Sequence, residues 1–468
     1  MCFGLAVTRI MSGHFSVHDY GTYSQITLLS STIGLVTIMG MMDGVNYFFS
    51  RETDPTKRDT YVSTIFFMQS VVGTVCVLIM VACAIPIAMY FDNSDVESLV
   101  IYAALIPVLQ NFINMMQVMF MVIGKAKLIA VRNLTVSFMK LIAILIACYA
   151  FDNIAVVLIC QTLLELIQVI YFAFVLKKND CYINPFKFDK ALFGEILGYC
   201  LPMGMFTITM ALNKDCDKFV IAALTDTETF AVFSNAAKHL PFDIIMTSFC
   251  TVLVPYITRY LAGDDYDRTR NVYSAFLELS YISTGILAIG AVCIAPELME
   301  LLYTEKYISG VNIFVVYIIA EIFKLFNITT VLCAAGKTKI VMYIGGGALA
   351  MNLVLNIGFY YWMGIIGPAV ATLVVTVIEG IVMLSMSARV MHTSLCKMFD
   401  LKYACTFIIQ LAVAGFVVNA IRLGLLNLGW HGLIVMCACC SVFMGGLGLV
   451  NLRRLKQNMS IINSCKIG

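Results

Sequence analysis

The stretch ITMALNKDCDKFVIAAL, residues 208–224, places Lys214, Asp215, Asp217 and Lys218 inside a run otherwise apolar enough to cross a bilayer. An ionisable side chain at the bilayer centre costs about 2.5–3.5 kcal/mol on insertion scales, so those that persist face a partner or a cavity. Two roles are open. Lys214 and Lys218 can pair with Asp215 and Asp217 or with neighbouring helices, or reach to the interface. Alternatively, they present cation and carboxylate to an anionic substrate or a coupling ion.

Other polar side chains recur at helical spacing within apolar runs. Gln110, Asn114 and Gln117 share one segment, and Gln161, Glu165 and Gln168 another. Asn235, His239 and Asp243 stack at i, i+4 and i+8, with Lys238 beside them. Glu321 and Lys324 are spaced for contact, and Thr372, Thr376 and Glu379 line one stripe. Carboxylates within spans mark ion paths, which makes Asp217, Glu165, Asp243, Glu321 and Glu379 candidates for proton or sodium coupling. Glu165 and Glu379 serve equally well as bridges between helices. Lys140 fits either substrate contact or interfacial snorkelling, and His239 either an interhelical hydrogen bond or a protonation switch.

Catalysis is not indicated. The chain has no Gly-rich phosphate loop after a strand, no HExxH and no paired-carboxylate loop. Of 17 cysteines most lie in apolar runs, where Cys packs as a small hydrophobe, and those of CACC at 437–440 point to different helix faces. No metal site and no cofactor is expected.

The elements that hold these residues are membrane helices. The 468 residues are 61% hydrophobic and only 12% charged, with a mean hydropathy of +0.91. Soluble domains carry about 25% charged residues, so this chain is an all-α polytopic membrane protein. Fourteen hydrophobic segments are expected, at 1–13, 23–49, 61–90, 98–123, 128–150, 154–176, 193–224, 229–258, 272–302, 308–335, 338–361, 364–388, 402–423 and 431–451. The first is too short to span, so either the start lies upstream or this helix is partial. No cleavable signal peptide is expected.

Of the 30 Lys and Arg residues, 22 fall in one set of alternate connections and the tail, and only Lys306 and Arg422 in the other. Arg9, Lys140, Lys214, Lys218, Lys238 and Lys324 lie within spans. The bias places both termini and the basic connections in the cytoplasm.

Internal matches recur at nearly one offset. YGTYSQ at 20–25 answers to FAVFSN at 230–235, GKAK at 124–127 to GKTK at 336–339, and AVVLICQTLLE at 155–165 to AVATLVVTVIE at 369–379. The expectation is two six-helix bundles, 1–176 and 191–392, joined by a linker at 177–190 and followed by a helix pair and tail at 393–468. Six spans per half make a parallel repeat, an architecture of transporters that bind substrate between halves. Arg9 and Lys218 then occupy equivalent positions. Two cations across one cavity suit a phosphate or pyrophosphate.

NLVLNIGFYYWMGIIGPAVATLV at 352–374 resembles a stretch of the Wzx-type oligosaccharide-lipid flippases, polysaccharide-biosynthesis membrane proteins of the MOP superfamily. DKFVIAAL followed by FAVFSNAAKHLPF, VTRIMS with DYGTYS, LCAAGKTK and VPYITR are similar to further patterns of that family, and the resemblance spans essentially the whole chain. NKDCDK is more heavily charged than the family's usual pattern. The resemblance implies a MATE-like fold and an alternating-access flippase of the bacterial inner membrane. Its substrate would be a polyprenyl-pyrophosphate-linked oligosaccharide: an O-antigen, capsule or exopolysaccharide unit. Partners would be that substrate, membrane lipids and other glycan-assembly membrane proteins, with no nucleic acid. A drug or cation antiporter of the same superfamily is the nearest rival. A membrane glycan polymerase or ligase is a more distant one, since the outward connections (FDNSDVE, FDN, TDTE, YTEKY) are short.

Overall fold

The computed structural model describes residues 2–52, 54–179, 181–184, 186–238, 253–254 and 256–464. All regular structure among them is helical. Ten stretches are long and apolar enough to cross a membrane, or eleven with the bent pair Val17–Ile38 and Met41–Arg51 taken as one span. One of the ten, Thr338–Val390, is two packed helices joined by the tight turn Gly364–Ile366. Each expected hydrophobic segment thus has a helical counterpart, the eighth described only in part.

Helices begin where short polar side chains can take the first free backbone N–H groups. Ser16 caps the helix Val17–Ile38, accepting from the Asp19 N–H at 3.0 Å. Asp54 caps Pro55–Ala82, Asn153 caps Ile154–Lys177, Asp189 caps Lys190–Leu224 and Asp400 caps Leu401–Asn427. The outer surfaces are apolar: Leu78, Phe174 and Phe416 are 63%, 67% and 78% exposed, as lipid-facing side chains must be.

The chain forms two compact units, Met1–Val232 and Phe233–Gly468. In the first, Met41, Val45, Phe48, Ile65, Phe66, Phe120 and Phe172 build a core that Ile196 and Cys200 also enter. Helix Lys190–Leu224 therefore packs with the first unit, although it follows the 177–190 linker. Its approach is close because two glycines meet there. A Cβ on Gly204 would lie 2.4 Å from the Met39 carbonyl carbon, and one on Gly40 2.3 Å from the Cys200 oxygen. Met39 and Gly40, at φ 42° and 71°, make the 41° bend between the two halves of the second span.

In the second unit, helices Leu401–Asn427 and Gly432–Ser464 pack on Tyr266–Cys293, where Phe407 and Phe443 lie against Gly285 and Gly290. Cys439 is buried while Cys437 is exposed, so the CACC cysteines do point to different faces.

The sequence repeat has a backbone counterpart. Gly124 and Gly336 adopt φ 74° and 69°, and the N–H groups of Lys125 and Lys337 reach back to the Phe120 and Leu332 oxygens at 2.9 and 2.8 Å. These are the six-to-one bonds of a glycine-terminated helix, formed at corresponding points of the two units.

Candidate functional site

On helix Lys190–Leu224, Lys218 Nζ donates to Asp215 Oδ1 at 2.6 Å, with both side chains about 15% exposed. Three residues apart, they share a helix face, and mutual neutralisation makes their depth tolerable. Asp217 points to another side and is 2% exposed, its Oδ1 accepting from the Lys218 N–H at 2.7 Å. Lys214 is exposed, as is Arg9 on helix Cys2–His14, and Lys140 is half-buried on Ala126–Ile146. In this conformation, then, the Lys218 ammonium is held by Asp215.

A second polar group crosses the interior of the first unit. Gln110 and Gln168 donate to the two oxygens of Glu165 at 3.4 and 3.1 Å, and Arg132 donates to Gln168. The Arg132 guanidinium also lies 5.3 Å from the Phe172 ring centre. Tyr23 reaches Gln161 on the same helix at 3.3 Å. The glutamine–glutamate stripe thus faces neighbouring helices, as its spacing implies. Arg132, counted in the sequence among the connection cations, is instead inside a helix and joined to that stripe. Its place inside the expected segment 128–150 was the available signal.

In the second unit, Lys324 donates to Glu321 at 2.7 Å, and Asn327 to Glu379 at 3.0 Å. Asn327 stands in a break of the tenth expected span, between Val311–Lys324 and Thr330–Ala334. There the Phe326 and Asn327 N–H groups turn back only three residues, to the Phe323 and Lys324 oxygens. Irregular backbone at membrane depth is tolerated where it is enclosed by protein or lines a cavity. Lys238 is exposed, with Nζ 5.5 Å from the Tyr303 ring centre. His239 and Asp243 lie outside the described residues. A further pair was not foreseen: Arg422 Nε donates to Glu297 Oε1 at 2.7 Å, with side chains 15% and 9% exposed. The charge pattern places Arg422 in an outward connection, whereas the structure pairs it with a carboxylate 125 residues away.

The third feature joins the second and eighth helices. Asn93 Nδ2 donates to Thr22 and to Gln25 Oε1, both at 2.8 Å, and Gln25 Nε2 reaches Thr227 at 3.4 Å. Gln25 and Thr227 are buried. Gly21 permits the approach, for a Cβ there would sit 2.6 Å from the Thr227 oxygen. Beside it, Asp226 accepts from the backbone N–H and the hydroxyl of Thr229 at 2.8 and 2.9 Å, and the backbone bond holds its carboxyl below the usual range.

Solved structures of this fold include transporters of the MOP superfamily. The lipid II flippase MurJ, solved in an inward closed conformation, is similar at a TM-score of 0.73 and 14% identity, over 95% of this chain and 97% of that one. An inward-facing MATE multidrug resistance transporter is similar at 0.70 and 14%, covering 83% and 94%. A MOP transporter from Pyrococcus furiosus is similar at 0.58 and 12%, covering 84% and 92%. No curated protein matches the chain in sequence. The chain belongs to the polysaccharide biosynthesis protein family, whose model matches residues 8–312.

Proposed function

We propose that this protein flips a polyprenyl-pyrophosphate-linked oligosaccharide across the bacterial inner membrane by alternating access. The observation that carries the reading is membership of a polysaccharide biosynthesis family by a chain with a transporter fold. Likeness to a flippase of lipid II supports a lipid-linked substrate over the drug or cation that the MATE likeness would suggest, and transport over glycan polymerisation or ligation. A long polar glycan cannot cross roughly 30 Å of hydrocarbon unaided, and a fixed pore would leak ions. The six-helix halves at 1–176 and 191–392 rock about the 177–190 linker, with 393–468 as an added helix pair.

With both termini cytoplasmic, the ends bearing Asp19, Asp95 and Asp226 face outward. Gly21 against Thr227 then closes the second and eighth helices on that side. Lys218, with Arg9, Lys140, Lys214, Asp217, Lys238 and His239 as further candidates, meets the charged head of the substrate. On substrate binding the Lys218 ammonium exchanges Asp215 for the pyrophosphate. Glu379 at the helix break, with Glu165, Glu321, Asp217 and Asp243, supplies the candidates for ion coupling.

The test is glycan export in cells. Lys218→Ala should abolish it while the protein stays inserted and abundant, and exchanging the pair (Asp215→Lys with Lys218→Asp) should not restore it. Normal export by Lys218→Ala, or full rescue by the exchange, would assign Lys218 to helix packing alone.

A further inference from the structure

We propose that a corner of the second unit, at the basic end of its helices, binds an anionic phospholipid of the surrounding membrane through Lys337 and Arg389. A cavity of about 750 Å³ opens there, walled by Leu261, Ala335, Ile340, Met386 and Val390 and edged by Lys337, Arg389 and His392. This is more room than a lone inorganic ion fills, and its walls suit acyl chains rather than water.

Among the described residues no carboxylate compensates the charge at its edge. Neither Lys337 nor Arg389 has a carboxylate at ion-pair distance among the described residues. The nearby acids are engaged elsewhere: Asp265 pairs with Arg268 and Asp267 with Arg270, while Asp264 accepts from the Tyr266 hydroxyl at 2.8 Å. His392 stands edge-on to the Tyr266 ring, 4.8 Å between centres.

The internal repeat sharpens the contrast. Lys125, the counterpart of Lys337 at an offset of 212, donates to Asn179 Oδ1. The same offset carries Asn179 to Met391, which is buried and whose side chain carries no oxygen. The first unit caps its lysine with its own chain, whereas among the described residues the second offers the equivalent lysine, on the same glycine turn, no such acceptor.

The walls lead to the lipid face. One turn from Ile340 and Met386 along the same two helices, Tyr343 and Val382 are exposed apolar side chains, as are Met342 and Ile381. Arg389 closes the last turn of Gly367–Val390 and Tyr266 opens Tyr266–Cys293, so the cations lie at helix ends, at headgroup level. Basic pockets between helices on the cytoplasmic side suit anionic headgroups, with each cation strengthening binding roughly fivefold.

The full chain, purified and placed in phosphatidylcholine nanodiscs, would be titrated with spin-labelled phosphatidylglycerol, with labelled phosphatidylcholine in parallel. Immobilised phosphatidylglycerol should exceed immobilised phosphatidylcholine, and Lys337→Ala with Arg389→Ala should weaken its binding about 25-fold. The charge-keeping pair Lys337→Arg with Arg389→Lys should retain most of the binding, and Arg453→Ala, on another helix, all of it. Should the double alanine variant not fold, each single variant, checked by its melting curve, should show about a fivefold loss. Three results would each overturn the proposal: equal immobilisation of the two lipids, undiminished phosphatidylglycerol binding in folded alanine variants, or full displacement by millimolar inorganic phosphate. These readouts do not involve glycan export, so they stand or fall apart from the transport reading.

Discussion

Substituting Gly21 by alanine should shift the protein away from the conformation in which the second and eighth helices touch. The added Cβ would sit 2.6 Å from the Thr227 oxygen, 2.8 Å from its Cγ2 and 3.2 Å from Ala231 Cβ. Carbon atoms rest at about 3.5–4.0 Å, so the helices must part by about 1 Å. Two of those three contacts are to backbone or to a β-branched side chain, neither of which can swing aside. Overpacking of this kind costs about 1–3 kcal/mol. The penalty falls only on the touching state, so the equilibrium shifts by about 5- to 150-fold, at 1.4 kcal/mol per tenfold. Gly34 on the same helix is the control, because its Cβ would meet Pro107 at an ordinary 3.7 Å. Spin labels at Val17 and Glu228, in a background without native cysteines, would report the separation by double electron–electron resonance. Gly21→Ala should raise the long-distance population while Gly34→Ala leaves it unchanged. If the two variants give the same distance distribution, the contact does not hold a gate.

Glu297→Ala should destabilise the purified protein by about 3–5 kcal/mol, because it strands the Arg422 guanidinium in a site only 15% exposed. Glu297→Ala with Arg422→Ala should cost less than the single change, and equal losses on chemical denaturation would refute the pairing. Glu379→Gln keeps an acceptor for Asn327 and removes the charge. It should therefore melt like the parent but lose any dependence of transport on an imposed proton or sodium gradient. Parent protein indifferent to both gradients would remove Glu379 from coupling.

The sequence by itself determined the helices, because lipid leaves the backbone no hydrogen-bond partner but its own chain, and runs of apolar residues must then coil. The repeat was legible in the same local way, and its GKAK and GKTK segments form one turn twice. Helical spacing also foretold the Glu321–Lys324 contact and the bridging of helices by Glu165. Helical spacing favours Asp215, three residues from Lys218, over the adjacent Asp217, but that Asp217 is the one buried was decided only by the tertiary structure. It alone paired Arg422 with Glu297, drew Arg132 into the Glu165 group and brought Gly204 against Gly40. Helical periodicity fixes which residues share a face, but the face across from it belongs to a helix tens to hundreds of residues away. The choice among such faces rests on close packing, which no local pattern records.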